Sequence, residues 1–600
     1  MQYSGARILI EALIEQGVDT VFGYPGGTVL FIYDELFKHQ DRIRHILVSH
    51  EQHAAHAADG YARSTGKVGV CIATSGPGAT NLVTGIATAA MDSSPLVAIT
   101  GNVSLPLLGK DSFQEVDITG ITMPIVKHNW IVKEVNELAE IVREAFIVAQ
   151  SGRPGPVLID IPKDITAITG EWVPGKGWGK KTSATISADV LVAGGKTAGD
   201  AREAAESQGD YAVLGARARR LAERNERPTF TEEDIDRAVV MLREAKRPVF
   251  YAGGGVIISG ARGELIQLAE RLNAPVALSL MGIGAFPQDH RLCTGLIGMH
   301  GTVASNKAVQ QADLLVAIGA RFSDRVTSRT DAFAKSAQVL HFDIDPAEIN
   351  KNVQADAWVI GDIKKTLGET LKKLPLEIAT EWKGNIELWK EKVPEAHHRD
   401  TALHPRFIIE ETAKRLGYDA IVVTDVGQHQ IWTAQFYPVT QPRSFLTSGG
   451  LGTMGFGLGA ALGAKVANPT RPVVLFTGDG CFRMNCTEMA TLGVYTVPLL
   501  MVIFNNKTLG MVRQWQSLFY EARYSETDLD GPPDFVKLAD AYGLSGYPAD
   551  DAVSFIDALD KALQDIAAGR AALIDAHIDR DEKVFPMVPG GKPIDEQILA

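Results

Sequence analysis

The stretch Arg471–Gln516, RPVVLFTGDGCFRMNCTEMATLGVYTVPLLMVIFNNKTLGMVRQWQ, constrains this chain more than any other. An apolar, strand-like run over Pro472–Phe476 leads into Gly478-Asp479-Gly480. A helical stretch follows, and a second apolar run over Leu499–Phe504 ends in Asn505-Asn506. Strand, helix and strand make a βαβ unit. Its right-handed crossover sets both strand ends on one edge of a parallel sheet, where open α/β folds bind ligands. Asp479 and Asn506 are therefore expected to converge although they lie far apart in sequence. A carboxylate, an amide oxygen and a nearby backbone carbonyl suit Mg²⁺, a hard cation that prefers oxygen and keeps phosphate as co-ligand. The glycines admit a diphosphate close to the backbone, and the helix start that follows favours its charge. Gly-Asp-Gly alone describes an ordinary turn. With both strand contexts and Asn-Asn at this distance it specifies a metal and diphosphate site.

Similar alternation fills three blocks. In residues 1–171 the strand-like runs are Ile46–Val48, Val68–Ala73, Leu96–Ile99 and Val157–Ile161. In 229–374 they are Pro248–Tyr251, Leu314–Ile318 and Val339–Phe342; in 405–600, Ala420–Thr424 and Ala572–Ala576 join the two of the opening unit. Strands interleaved with helices imply mostly parallel sheets covered on both faces. The expected fold class is α/β, with three doubly wound parallel-sheet domains. The Gly/Ala/Lys-rich 172–228 and the Lys/Glu-rich 375–404 read as linkers. Thr231-Glu-Glu-Asp234 has capping-box spacing and opens the second block. The amino-terminal MQYSGARILIEALIEQG reads as an amphipathic helix, unlike a secretory signal or a basic transit peptide.

At 600 residues the chain exceeds what a single core supports. Its net charge of −13 repels phosphate backbones and anionic lipid, which argues against nucleic-acid and membrane partners. No apolar run reaches the length of a membrane span. Four cysteines without a Cys-x-x-Cys pair offer neither a disulfide framework nor a zinc site. A cytoplasmic protein acting on small molecules is expected.

A second constellation lies in the first block, where ILVSHEQHAAHAADGYARSTG runs from a short strand into a helix beginning near Glu51. A carboxylate at a helix start is stabilised by the dipole, so capping alone would account for it. Two glycine-rich strand-to-helix turns flank it, Val21-Phe-Gly-Tyr-Pro-Gly-Gly27 and Ala73-Thr-Ser-Gly-Pro-Gly-Ala-Thr-Asn81. Each is expected to follow an apolar strand at the same sheet edge. Tight turns and close approach of a cofactor demand the same glycine backbone, so both readings stand. In the middle block Phe250-Tyr-Ala-Gly-Gly-Gly255 runs from a strand into glycines and a helix, a weak dinucleotide signature by itself.

Together these motifs resemble the thiamine-diphosphate enzymes, and among them the catalytic subunits of the acetohydroxyacid synthase (acetolactate synthase) family. The resemblance spans almost the whole chain, through Phe585-Pro-Met-Val-Pro589. It implies that Asp479, Asn506 and the carbonyl of Thr508 hold Mg²⁺ on the cofactor's diphosphate. Gly478, Gly480, Cys481, Gly510 and Met511 would lie around that site, with Gly427, Gln428 and His429. Met454, in Gly452-Thr-Met-Gly455, matches the large apolar residue that keeps the cofactor bent, and Gly452 is implied to bind the cofactor beside it. Glu51 matches the acid that activates the cofactor through its pyrimidine ring, with Tyr24, Pro25, Gly27, Pro77 and Asn81 nearby.

Gln114, in Lys110-Asp-Ser-Phe-Gln-Glu115, is implied to contact the cofactor region, and Lys163 to lie at the substrate channel. FAD without net redox is implied on Gly253, Gly254 and Gly255, and on Met299, His300, Gly301 and Thr302. The same site would take in Gly319, Ala320, Arg321 and Asp324, then Asp343, Ile344 and Asp362, with Arg153 reaching over from the first block. Arg325 is implied to hold the second substrate's carboxylate, which suits a planar donor fork. Trp515 matches the tryptophan that favours 2-oxobutanoate as acceptor.

The activity implied is decarboxylation of pyruvate and transfer of the hydroxyethyl unit to pyruvate or 2-oxobutanoate. The products are 2-acetolactate or 2-aceto-2-hydroxybutanoate, the first common step of branched-chain amino-acid synthesis. Because diphosphate and pyrimidine map to opposite ends of the chain, the resemblance implies a site between subunits. A homodimer or homotetramer follows, with a separate regulatory small subunit as partner. There are departures: Ser323 stands where the family usually has aspartate, Cys481 and Arg483-Met-Asn485 vary the segment after Gly-Asp-Gly, and 172–228 is longer than usual. Alternatives on the same scaffold are an FAD-using pyruvate oxidase, disfavoured by Arg321-Phe322 and Arg325, and glyoxylate carboligase, whose family lacks the glutamate present here as Glu51. A non-catalytic relative would not need Glu51, Asp479 and Asn506.

Overall fold

Strands that are nearly continuously apolar form where a sheet is covered on both faces. In the computed structural model, Val473–Gly478 and Leu500–Asn505 are buried throughout, as are Gly69–Ala73, Leu96–Asn102 and Pro156–Pro162. The structure describes residues 1–175, 230–382, 385–390 and 403–599.

In chain order the first sheet comprises β2 (Thr20–Tyr24), β3 (Arg44–Leu47), β4 (Gly69–Ala73), β5 (Leu96–Asn102), β6 (Asn129–Ile131) and β7 (Pro156–Pro162). A small antiparallel pair, β1 (Gln2–Ser4) with β8 (Thr169–Glu171), stands beside it. The central sheet comprises β9 (Pro248–Ala252), β10 (Val276–Leu278), β11 (Cys293–Leu296), β12 (Leu314–Ile318), β13 (Gln338–Asp343) and β14 (Ala357–Ile360). The last holds β15 (Ile421–Thr424), β16 (Phe445–Leu446), β17 (Val473–Gly478), β18 (Leu500–Asn505), β19 (Ser545–Ala549) and β20 (Ala572–His577).

Every pairing in these three six-stranded sheets is parallel. The first and last share one order, β3-β2-β4-β5-β7-β6 and β16-β15-β17-β18-β20-β19, while the central sheet runs β11-β10-β9-β12-β13-β14. In each, the order reverses beside the first strand, which opens a crevice at the carboxyl ends of that strand and its neighbour. The first sheet and its helices form one compact unit with Leu462–Ala467; the central and last sheets form a second.

The first core gathers Leu9, Leu13, Ile72, Ile99, Val142 and Ile159, the central one Phe250, Leu268, Ile318 and Phe342, and the last Trp432, Phe476, Phe504 and Ile574. The helix expected from the first residue starts instead at Gly5, capped by Ser4, because Gln2–Ser4 pairs with Thr169–Glu171. The turn expected to follow a strand at Val21 is itself the strand: β2 runs to Tyr24. The capping box at Thr231 and Asp234 is present.

Most of 172–228 lies outside the described residues. Within 375–404, Trp382 donates from Nε1 to the Pro248 carbonyl at 2.7 Å, and Ile386 is buried in the central domain's second cluster. Trp382 and Ile386 thus sit against the core as apolar anchors that the Lys/Glu content had masked. Among the described residues no helix is long and apolar enough to cross a membrane.

Candidate active site

The crevice of the last sheet lies between the loops after β15 and β17, which carry Asp425–His429 and Gly478–Gly480. Gly478 pairs with Phe504, so Asp479 is level with Asn505 and Asn506 stands one residue beyond the end of β18. Asp479 opens the helix Asp479–Asn485 and is 2% exposed; its Oδ2 has no hydrogen-bond partner among the described residues. Burial pushes its carboxyl up to about 7, and Asp575 adds to the shift. A buried carboxylate oxygen without a donor is costly unless a cation completes it.

Thr508 spends its N–H on Asn506 Oδ1 and its hydroxyl on the Thr527 carbonyl. Among the described residues no three His, Cys, Asp or Glu side chains group as a metal site. The donors expected here, a carboxylate, an amide and a carbonyl, are of a different kind. They fit a hard, partly phosphate-bound cation.

His429 is buried, and desolvation lowers it to about 3, so the ring is neutral; its Nε2 has no partner among the described residues. A Cβ on Gly478 would lie 2.9 Å from His429 Nδ1, and one on Gly510 2.0 Å from Gln428 Oε1. Both glycines therefore make room for side chains already there. Met454 reaches toward Gly480, its Cε 3.9 Å from where a Cβ would stand. Gly427 precedes the helix Gln428–Phe436, and Gly452, at φ 71°, lies in the same loop as Met454. Cys481 donates to the Val426 carbonyl at 3.0 Å, and burial raises its thiol, so it stays protonated. Met511 packs on the last core, and Trp515 lies edge-on to Phe519 at 5.4 Å.

Two residues of this region escaped the sequence reading. The Asp425 carboxylate accepts from the backbone N–H of Val426, Gly455 and Gly457 and from Asn485 Nδ2, at 3.0, 2.9, 3.1 and 3.1 Å. It thereby ties the Met454 loop to the helix that starts at Asp479. A carboxylate directly after a wholly buried strand, Ile421–Thr424, was the available signal. Gln514 is the second, a buried polar residue on the inner side of the helix Gly510–Phe519.

In the first unit, Glu51 is the first residue of the helix Glu51–Thr65, capped by His50, and is 9% exposed. Asn81 Nδ2 donates to its Oε2 at 2.9 Å, and a Cβ on Gly78 would stand 3.1 Å from Oε1. Glu51, Asn81 and the Pro77–Asn81 helix therefore meet. Gln114 joins them, at φ 59°, with its Cα 3.0 Å from a Cβ built on Gly76. Tyr24, Pro25 and Gly27 form an exposed turn at the end of β2. Lys163 opens the short helix after β7, and Arg153 donates to Ser93 Oγ at 2.8 Å.

In the central domain the reversal falls between β9 and β12, so Gly253–Gly255 and Gly319–Arg321 flank the crevice. A Cβ on Gly253 would stand 2.1 Å from the Gly319 carbonyl, so close approach of the two turns already requires glycine. Met299 N–H donates to the Arg325 carbonyl, and Val588 N–H to that of Met299. His300 Nδ1 meets the Pro586 carbonyl at 3.1 Å, and burial lowers its pKa to about 4. Gly301 N–H bonds back to Gly298, while Thr302 caps the helix Val303–Gln311.

Ala320 offers its carbonyl to His341; Asp343 accepts from Asp345 N–H, one residue past Ile344; and Asp362 caps the helix Ile363–Lys373. Arg321 is half-buried and Asp324 exposed. The Arg325 side chain is 65% exposed, its guanidinium 3.9 Å from Asp324 and 3.8 Å from Met299 Sδ.

The chain matches three family models: the thiamine pyrophosphate enzyme N-terminal TPP binding domain over residues 3–121, the central domain over 235–371, and the C-terminal TPP binding domain over 425–576. It is 46% identical to the acetolactate synthase large subunit of Parasynechococcus marenigrum, over 98% of this chain and 90% of that one. A probable acetolactate synthase large subunit of Methanocaldococcus jannaschii is likewise 46% identical, over 98% and 94%. The acetolactate synthase isozyme 3 large subunit of Escherichia coli is 42% identical, over 100% and 98%. With its three parallel-sheet domains and these relatives along its whole length, the chain belongs to the acetolactate synthase large-subunit family of thiamine pyrophosphate enzymes.

Proposed function

We propose that this chain condenses two 2-oxo acids with loss of CO₂, turning two pyruvates into 2-acetolactate, or pyruvate and 2-oxobutanoate into 2-aceto-2-hydroxybutanoate. Family membership supports the activity and the thiamine pyrophosphate cofactor. The observation that carries the site is Asp479, a buried carboxylate whose Oδ2 has no donor among the described residues, at the sheet edge that also bears Asn506. Asp479, Asn506 and the Thr508 carbonyl would hold Mg²⁺ against the diphosphate, with neutral His429 offering a ring nitrogen beside it.

When bound, the cofactor supplies an electron sink for the carbon that loses CO₂. Glu51 would carry the activating proton on Oε1, since Oε2 is engaged by Asn81. Met454 would set the cofactor's bend, and Gln114 and Lys163 would line the way in. Arg325 would take the acceptor's carboxylate in its open fork, and Trp515 would bias the acceptor toward 2-oxobutanoate.

FAD is assigned to the central crevice, between Gly253–Gly255 and Gly319–Arg321, in a non-redox role. The domain bounds 1–171, 229–374 and 405–600, a homodimeric active site, a separate regulatory small subunit and a cytoplasmic location complete the reading. The test is a product assay with thiamine pyrophosphate, Mg²⁺, FAD and mixed pyruvate and 2-oxobutanoate. Both acetohydroxy acids and CO₂ are expected; acetyl phosphate or peroxide in their place would favour the oxidase alternative.

A further inference from the structure

We infer that Gln428 and Gln514 are positioning residues that determine which end of the Asn506 amide is left free to meet a cation. The inference rests on Asn506 being a Mg²⁺ ligand. The two ends of a carboxamide have nearly the same shape, and only their partners decide where oxygen and nitrogen lie. Main-chain groups leave no such freedom: an N–H donates and a carbonyl accepts.

Gln514 meets both groups of Val584. The Val584 N–H donates to Gln514 Oε1 at 2.9 Å, and Gln514 Nε2 donates to the Val584 carbonyl at 3.1 Å. Gln514 Oε1 also accepts from Gln428 Nε2 at 3.0 Å, and the same nitrogen donates to the Glu582 carbonyl at 2.7 Å. Gln428 is therefore compelled to turn Oε1 toward Asn506, whose Nδ2 donates to it at 3.3 Å. From the far side Thr508 N–H donates to Asn506 Oδ1 at 3.2 Å.

Three backbone anchors, at Glu582, Val584 and Thr508, thus agree on one polarity for three amides in series. Turning any one of them would set oxygen against oxygen or hydrogen against hydrogen in a buried place, where unmade hydrogen bonds are costly. Nδ2 of Asn506 is spent inside the protein, and Oδ1 keeps a second lone pair. Reversed, the amide would offer N–H hydrogens to a cation and could not ligate it. Gly510 belongs to the device, since a Cβ there would stand 2.0 Å from Gln428 Oε1 and 2.6 Å from Asn506 Nδ2. Gln428 and Gln514 are 4% and 2% exposed, which places the relay out of reach of solvent.

The test follows Mg²⁺-dependent uptake of thiamine pyrophosphate by tryptophan fluorescence, without any 2-oxo acid. Gln428→Leu is expected to raise the Mg²⁺ concentration for half-saturation about 10- to 100-fold, as for other partners that orient a metal ligand. Gln428→Met serves if the leucine variant fails to fold. In an Asn506→Asp background, where oxygen stands at both ends of the side chain, adding Gln428→Leu should cost less than about threefold. Equal losses in both backgrounds would mean that Gln428 only packs, and would overturn the inference; so would an unchanged Mg²⁺ dependence in Gln428→Leu itself. If the unaltered chain takes up the cofactor equally with and without Mg²⁺, the metal reading fails and takes this inference with it.

Discussion

At the scale of single residues, the proposed chemistry divides between two carboxylates at helix starts. Glu51 is hydrogen-bonded by Asn81 through one oxygen, and Asp479 has an oxygen with no donor among the described residues. Glu51→Gln keeps an acceptor for Asn81 but cannot exchange a proton. Turnover is expected to fall about 10²- to 10⁴-fold, with thiamine pyrophosphate affinity within about threefold of the original. Steady-state kinetics beside a binding titration check this, and turnover near the original level would remove Glu51 from its role. Gly510→Ala forces a methyl group to within 2.0 Å of Gln428 Oε1. It should cost about 1–3 kcal/mol of stability, read as a lower thermal midpoint, and weaken Mg²⁺-dependent cofactor uptake. Glu51, Asp479 and Asn506 were legible in the sequence because each stands where an apolar run gives way to a helix or turn. Asp425 shares that setting at the end of β15, but what it ties together, the Gly455 and Gly457 backbone and the Asn485 amide, lies far along the chain, as do the partners of Gln514, and no local spacing encodes those contacts.

At the scale of elements, Asp425 joins strand, loop and helix through one carboxylate. Asp425→Ala would leave several buried donors without acceptors. A loss of about 3 kcal/mol or more is expected, seen as a midpoint lower by several degrees in the apoprotein. The carboxyl end of β20 carries a titrating group of its own. His577 lies 3.3 Å from Asp575 and 2.7 Å from Asp550, and these carboxylates, Asp575 foremost, raise its pKa to about 9. The raised value means the folded chain holds this proton more tightly than the unfolded one. Its stabilisation is complete below a pH of about 6.5 and fades as pH rises through about 9. His577→Asn should flatten the fall in thermal midpoint over that window; an unchanged slope would assign the fall to other groups.

The apolar runs located the strands well, since parallel strands buried on both faces need little beyond continuous hydrophobicity, as Leu314–Ile318 shows. The polar start of the chain and the Trp382 segment were harder to read. In both, pairing or packing against a distant partner outweighs local composition.

For the whole molecule, the first and last sheets repeat one strand order, and the two carboxylates of the proposed chemistry sit one on each. Glu51 follows β3 and Asp479 follows β17, each near its own crevice, with the central sheet between them in sequence. For the proposed chemistry these two halves of a site must meet across a homodimer, with the first domain of one subunit serving the last domain of its partner. Mixing two separately inactive variants tests this most directly. When Glu51→Gln and Asp479→Ala subunits are dissociated, combined and reassociated, random pairing makes half of the dimers mixed. Each mixed dimer carries one site with both defects and one with neither, so acetolactate synthesis should return to about a quarter of the original level. Activity that stays at the level of the separate variants, with mixed dimers demonstrably formed, would contradict the shared site.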